Sequence, residues 1–119
     1  MDYQVQRKAT NNKSRQPLYD LAKSANRWER PTAMVATHAF IKQGEVDDTL
    51  AIAEILIDDP DELVNKAVGT FLREAGKVDP DLLKHFLDRY AATMPRVTLR
   101  YAIEKFDPET RRRFMEMGK

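Results

Sequence analysis

The sequence predicts an all-α protein built as an α-solenoid, a stack of antiparallel helical hairpins. Three observations carry this. First, Ala39-Phe40-Ile41-Lys42-Gln43-Gly44-Glu45-Val46-Asp47-Asp48 returns as Thr70-Phe71-Leu72-Arg73-Glu74-Ala75-Gly76-Lys77-Val78-Asp79-Pro80, at a phase of 31 residues slipping to 32. Each copy closes an apolar-periodic segment with a basic residue and a glycine, then restarts on Val-Asp. A repeat of this size marks helical units that bury a core only against their neighbours. Second, six prolines punctuate the chain, each able to occupy the first turn of a helix, where a missing N–H costs nothing. Third, apolar residues recur at helical spacing and no strand alternation is visible.

Taken in order, residues 1–16 hold few apolar side chains and no period, and read as an extended or loosely attached polar arm. The remainder, 17–119, reads as one helical-repeat domain of about seven helices, or three to three and a half hairpins: 17–25, 31–43, 47–58, 60–75, 80–91, 95–105 and 108–117. Asp59-Pro60-Asp61-Glu62, Asp79-Pro80-Asp81 and Asp107-Pro108-Glu109 are strong starts, with an Asp cap, an early proline and acids at the positive end of the dipole. Pro17, Pro31 and Pro95 begin helices with poorer caps, and Asp47-Asp48-Thr49 begins one without proline. Gly44 and Gly76 read as stops in the left-handed conformation. Connections of two to five residues make successive helices antiparallel. The core is expected from the apolar faces of these helices: Ala33, Met34, Val35, Ala36, Ala39, Phe40 and Ile41; Leu50, Ile52, Ala53, Ile55, Leu56 and Ile57; Leu63, Val64, Ala67, Val68, Phe71, Leu72 and Ala75; Leu82, Leu83, Phe86, Leu87 and Tyr90; and Val97, Leu99, Tyr101, Ala102 and Ile103.

Composition excludes several classes. The 119 residues contain no Cys, so there is no disulfide frame or thiolate metal site. Two histidines, His38 and His85, are too few and too distant to suggest a metal site by spacing. Neither an apolar run nor a start signal suggests a membrane span or leader, which points to the cytoplasm. No nucleophile-base pattern, phosphate loop or metal helix stands out, so no catalytic residue, metal or cofactor is assigned.

Net charge is +1 but uneven: residues 1–30 carry +4, 31–62 carry −7, 63–95 carry +1 and 96–119 carry +3. A basic patch must therefore come from local geometry. The best candidate is the polar stripe of helix 60–75, where Lys66, Thr70, Arg73 and Lys77 fall at i, i+4, i+7 and i+11. Gly69 beside them either admits a ligand backbone or packs on a neighbouring helix. Arg96 and Arg100 form a second i, i+4 pair, and Arg30 heads helix 31–43. If alternate helices share one face, these cations line one groove suited to a phosphate backbone. Arg111-Arg112-Arg113 reads as helix-end charge and solubility. Trp28 reads as a core anchor rather than a stacking platform.

Several of these residues resemble a known family. Trp28-Glu29-Arg30, Ala33-Met34-Val35-Ala36-Thr37, Phe40-Ile41-Lys42 and Gly44 resemble the DNA alkylation repair family, HEAT-like repeat glycosylases that excise positively charged alkylated purines. Asp59, Lys66-Ala67-Val68-Gly69, Leu72-Arg73-Glu74 and Gly76-Lys77 continue the likeness. So do Met94-Pro95-Arg96 and Leu99-Arg100-Tyr101-Ala102-Ile103-Glu104-Lys105. The likeness covers about residues 17–117 and corresponds to the C-terminal half of the family's fold. It implies HEAT-like hairpins and a groove facing double-stranded DNA. It also places the family's catalytic carboxylate and partner tryptophan on a helix well upstream of Trp28. Only 27 residues precede Trp28; residues 1–16 do not resemble that helix, and Asp2 is no substitute. Pro31 stands where the family usually has a second arginine, Thr70 where it often has tryptophan, and His38 where an aromatic is more usual. The expected function is a truncated or degenerate relative that binds the DNA backbone. The alternatives are a non-enzymatic scaffold for a protein partner or for self-association into a homo-oligomer, and an active glycosylase using another carboxylate.

Overall fold

The computed structural model describes residues 15–117. Helix α1 covers 15–22, so residues 15 and 16, assigned to the arm by sequence, lie inside it; the rest of the arm falls outside the described residues. There follow α2 (Glu29–Ala36), α3 (His38–Lys42), α4 (Asp47–Leu56), α5 (Glu62–Val78), α6 (Pro80–Tyr90), α7 (Arg96–Ala102) and α8 (Pro108–Met117). Among the described residues there is no strand.

Aspartate caps show why α5, α6 and α8 start where they do. Asp79 accepts the Leu82 N–H at 3.1 Å with Pro80 at the first position, as its sequence predicts. Asp107 accepts the Thr110 N–H at 3.2 Å and its hydroxyl at 2.7 Å. In the Asp59-Pro60-Asp61 start the capping residue differs from the sequence reading. Asp61 caps α5, accepting the Leu63 N–H at 3.0 Å. Asp59 instead accepts the Asp61 N–H at 2.9 Å and an ion pair from Arg30, so Pro60 stays outside the helix. Pro31 is the third residue of α2, where its lack of an N–H still costs nothing.

Two further departures from the expected helices have side-chain or tertiary causes. The helix expected over 31–43 divides at Thr37, whose buried hydroxyl donates to the Met34 carbonyl at 2.6 Å. Its N–H turns to the same carbonyl at 3.0 Å, which tightens and bends the helix. Gly44 does stop α3. Its φ is +83°, and Gly44 N–H to Ile41 O (2.9 Å) with Glu45 N–H to Phe40 O (2.9 Å) completes a Schellman turn. Gly76 does not stop α5, which runs two residues further to Val78. Gly76 is buried because a Cβ there would lie 2.3 Å from Leu83 Cδ2 of α6.

The helices form two files. One holds α2–α3, α5 and α7; α5 packs against α2, α3 and α7. The other holds α1, α4, α6 and α8. Tyr19 OH donates to Asp48 at 2.7 Å between α1 and α4, Arg89 bonds Glu54 at 3.1 Å between α6 and α4, and Arg113 meets Asp88 at 3.5 Å between α8 and α6. Between the files lies the main core, centred on Met34, Ile52, Leu56, Val64, Val68, Leu72, Leu87 and Leu99. Val35, Ile55 and Leu63, expected in it from the apolar stripes, are exposed instead, because each lies at the edge of its helix's stripe beyond the reach of the facing helix. α5 and α7 run parallel: Thr98 Oγ1 donates to the Asn65 carbonyl at 3.0 Å, and further along Arg73 pairs with Glu104. Gly69 makes this close approach possible, because a Cβ there would sit 2.6 Å from Tyr101 Cβ and 2.7 Å from the Thr98 carbonyl oxygen. Of its two sequence readings, helix packing is the one found.

The caps also set the acid response. The Leu63 N–H and then Arg27 hold the Asp61 carboxyl below its ordinary value of 3.8. The Thr110 hydroxyl and N–H do the same for Asp107. Carboxyls depressed in the folded state contribute stability above the ordinary value, and lose it as pH falls through the folded value. Thermal melts are therefore expected to be flat from pH 7 to about 5 and to fall steadily below about pH 4. A melting temperature that rises on acidification would contradict the capping roles.

Candidate nucleic-acid interface

Helix α5 is the central element of its file, so its outward stripe is the natural middle of any exposed face. At 100° per residue, Lys66, Thr70, Arg73 and Lys77 all fall within about 40° of the direction opposite buried Val68. They form one line about 16 Å long, nearly five phosphate steps of a single strand. Lys66 and Lys77 are exposed, Thr70 and Arg73 half-buried. Among the described residues, Lys66 has no carboxylate within 4.0 Å. Lys77 pairs with Glu74 at 3.2 Å, and Arg73 sits between Glu74 at 3.3 Å and Glu104. Burial pushes the Glu74 carboxyl up, but the hydrogen bonds and charges of Lys77 and Arg73 outweigh it and hold it below its ordinary range. These pairs are partly solvated and each is worth at most about 1 kcal/mol, small enough for phosphate oxygens to displace.

The other sequence-selected cations do not share this line. On α7, Thr98 and Tyr101 face α5. Arg96 and Arg100 each lie two residues from Thr98, about 200° around the helix, and so project away from α5. Arg96 donates to the Met115 carbonyl of α8 at 2.8 Å; Arg100 is exposed. Arg30 is tied inward. Its Nε meets Asp59 at 2.7 Å and Nη1 donates to the Ser24 carbonyl at 3.1 Å, locking the α1–α2 turn to the α4–α5 loop. The structure thus brings Lys66, Thr70, Arg73 and Lys77 together and separates Arg30, Arg96 and Arg100 from them.

Trp28 overturns its sequence reading as a core anchor: it is 64% exposed. Its N–H is held by Asn26 Oδ1 at 2.8 Å, and its carbonyl accepts the Thr32 hydroxyl at 2.8 Å. The available signal was Thr32 at i+4, a polar residue where a buried tryptophan's helix face needs an apolar one. Sequence reasoning also missed Arg15. It is only 8% exposed, pairs with Glu45 at 2.9 Å and Asp48 at 3.1 Å, and lies 4.0 Å over the Phe40 ring, fastening α1 to α3 and α4.

Among the described residues, no group of three His, Asp or Glu side chains is placed to hold a metal, and no helix is long and apolar enough to cross a membrane.

The described residues thus form an all-helical protein that carries Lys66, Thr70, Arg73 and Lys77 in one line on α5. A family model for DNA alkylation repair enzymes matches residues 2–106. The chain belongs to that family. The match begins within the stretch set apart as an arm and ends before α8. No curated protein and no solved structure matches the chain.

Proposed function

We propose that this chain is a HEAT-like α-solenoid of the DNA alkylation repair family that binds the backbone of double-stranded DNA along α5 without excising bases. Four polar residues of one family motif region, Lys66, Thr70, Arg73 and Lys77, in a single outward line on the central helix carry this reading. The solenoid reading is supported by the contacts Tyr19–Asp48, Arg73–Glu104, Thr98–Asn65 and Tyr90–Glu54 within the files, whose partners lie 29 to 36 positions apart. That separation brackets the sequence repeat. The parallel course of α5 and α7 is also what alternate helices of stacked hairpins require.

The chemistry argues for binding without excision. Base excision of this family's type needs a preorganised carboxylate and aromatic walls to stabilise the cationic sugar as the bond breaks. Thr70 takes the place of an aromatic, and Pro31 that of a second arginine.

The test is a titration of undamaged duplex at two salt concentrations. With Lys66, Arg73 and Lys77 each neutralising one phosphate, affinity is expected to fall about 40-fold between about 50 and 200 mM salt. Incubation of the same protein with duplex containing 7-methylguanine is expected to release no free base. No binding at low salt overturns the backbone reading, and stoichiometric base release overturns the absence of excision.

A further inference from the structure

At the N-terminal end of α5 the surface changes character. Trp28 stands exposed with Leu63, which is 37% exposed. The Arg27 guanidinium lies 5.1 Å from the Trp28 ring centroid. Asp61 holds it there through contacts of 2.7 and 3.1 Å. The backbone of Trp28 is itself fixed by Asn26 and Thr32. The indole is therefore a pre-ordered platform that already receives one cation and leaves most of its surface open.

The charge around it is negative. Glu29 follows Trp28 and Glu62 follows Asp61 in the chain; both are exposed, with Glu29 accepting from the Ser24 hydroxyl, and Asp58, Asp59 and Asp61 form the approach to α5. Against these five acids stand Arg27, Arg30 and, one turn along α5, Lys66; Arg27 is committed to Asp61 and Arg30 to Asp59, which leaves Glu29, Asp58 and Glu62 against Lys66. A phosphate backbone is repelled here, whereas a guanidinium or ammonium gains both the ring's quadrupole and the surrounding carboxylates. An exposed aromatic rimmed by acids is the chemistry that recognises basic side chains.

We propose that this patch, built on Trp28 and Leu63 and rimmed by Glu29, Asp61 and Glu62, docks an arginine-bearing segment of a protein partner. Arginine stacks on the open indole face and pairs with the carboxylates at its rim, as Arg27 does within the chain. The patch adjoins the cation line, since Glu62 and Leu63 lie one turn before Lys66 on α5; Lys66→Ala tests the line and Trp28→Ala tests the patch.

Trp28 is the chain's one tryptophan, so intrinsic fluorescence reads this site alone. A tetra-arginine peptide titrated into the full chain is expected to change that fluorescence saturably, and the affinity is expected to weaken about tenfold on moving from low to physiological salt. The double variant Glu29→Gln/Glu62→Gln changes two exposed side chains and is expected to weaken peptide binding at least about fivefold. A Trp28→Ala variant, read by anisotropy of labelled peptide, is expected to lose most of the affinity. No fluorescence response to the peptide overturns the proposal. So does a larger response to a single-stranded oligonucleotide than to the peptide, or unchanged peptide affinity in both variants.

Discussion

Replacing Gly69 with valine is expected to cost about 3 kcal/mol of stability and lower the melting temperature by roughly 12 °C. The reason is local. The added Cβ would meet Tyr101 Cβ at 2.6 Å and the Thr98 carbonyl oxygen at 2.7 Å. Neither can swing aside as a side-chain tip can, so α5 and α7 must part along their whole contact. Even alanine should lose here, although in an open helix it would gain about 1 kcal/mol over glycine. Gly76 supplies the contrast. Its added Cβ would meet Leu83 Cδ2, the flexible end of a side chain, at 2.3 Å, and its φ is not in the left-handed region. Gly76→Ala is therefore expected to be within about 1 kcal/mol of the parent, once helix propensity offsets the leucine's shift. Denaturant unfolding of the two variants checks this. Equal losses at both positions would contradict the packing described for α5 and α7.

The second large effect is expected at Arg30. Its guanidinium pairs with Asp59, whose side chain is 8% exposed, and also satisfies the Ser24 carbonyl. Arg30→Ala leaves that carboxylate largely buried without its cation, and is expected to cost about 2 kcal/mol. Removing both partners, Arg30→Ala with Asp59→Ala, is expected to recover part of this loss, because the stranded charge goes with its partner. Duplex affinity of the folded Arg30→Ala protein should be unchanged, since the side chain faces inward. Lys66→Ala should behave in the reverse manner, with unfolding unaltered and duplex binding weakened. This crossed outcome separates a fold-holding cation from a ligand-facing one.

These residues also show what was legible in the sequence. Caps set by one short segment were legible: Asp79-Pro80 and Asp107-Pro108 begin helices where the local chemistry says they should. Asp59-Pro60-Asp61 offers two aspartates, and the choice between them is made by Arg30, 29 positions away. Gly44 and Gly76 occupy equivalent places in the repeat, yet only Gly44 has a left-handed backbone. Gly76 is glycine for the sake of Leu83, a tertiary contact that no local pattern records. Thr37 breaks a helix through a hydroxyl that sequence periodicity treats as one more helical position.

For the candidate site, the spacing of Lys66, Thr70, Arg73 and Lys77 was enough, because one straight helix fixes their relation. The union of Arg30, Arg96 and Arg100 with that line depended on how separate helices rotate about their axes. Arg96 and Arg100 turn away because Thr98 and Tyr101, three positions apart on one face of the same helix, are the residues drawn against Gly69. Trp28 was misread because tryptophan's usual burial outweighed the polarity of its own helix face.

The most direct test of DNA-backbone binding along α5 is the slope of log affinity for undamaged duplex against log salt, measured for the parent and for three single variants. Phosphate contact by Lys66, Arg73 and Lys77 predicts a parent slope of about −2.7, reduced in magnitude by about 1 in each of Lys66→Ala and Arg73→Ala, and unchanged in Arg96→Ala. A slope near zero in the parent, or the same slope in all four proteins, would contradict it.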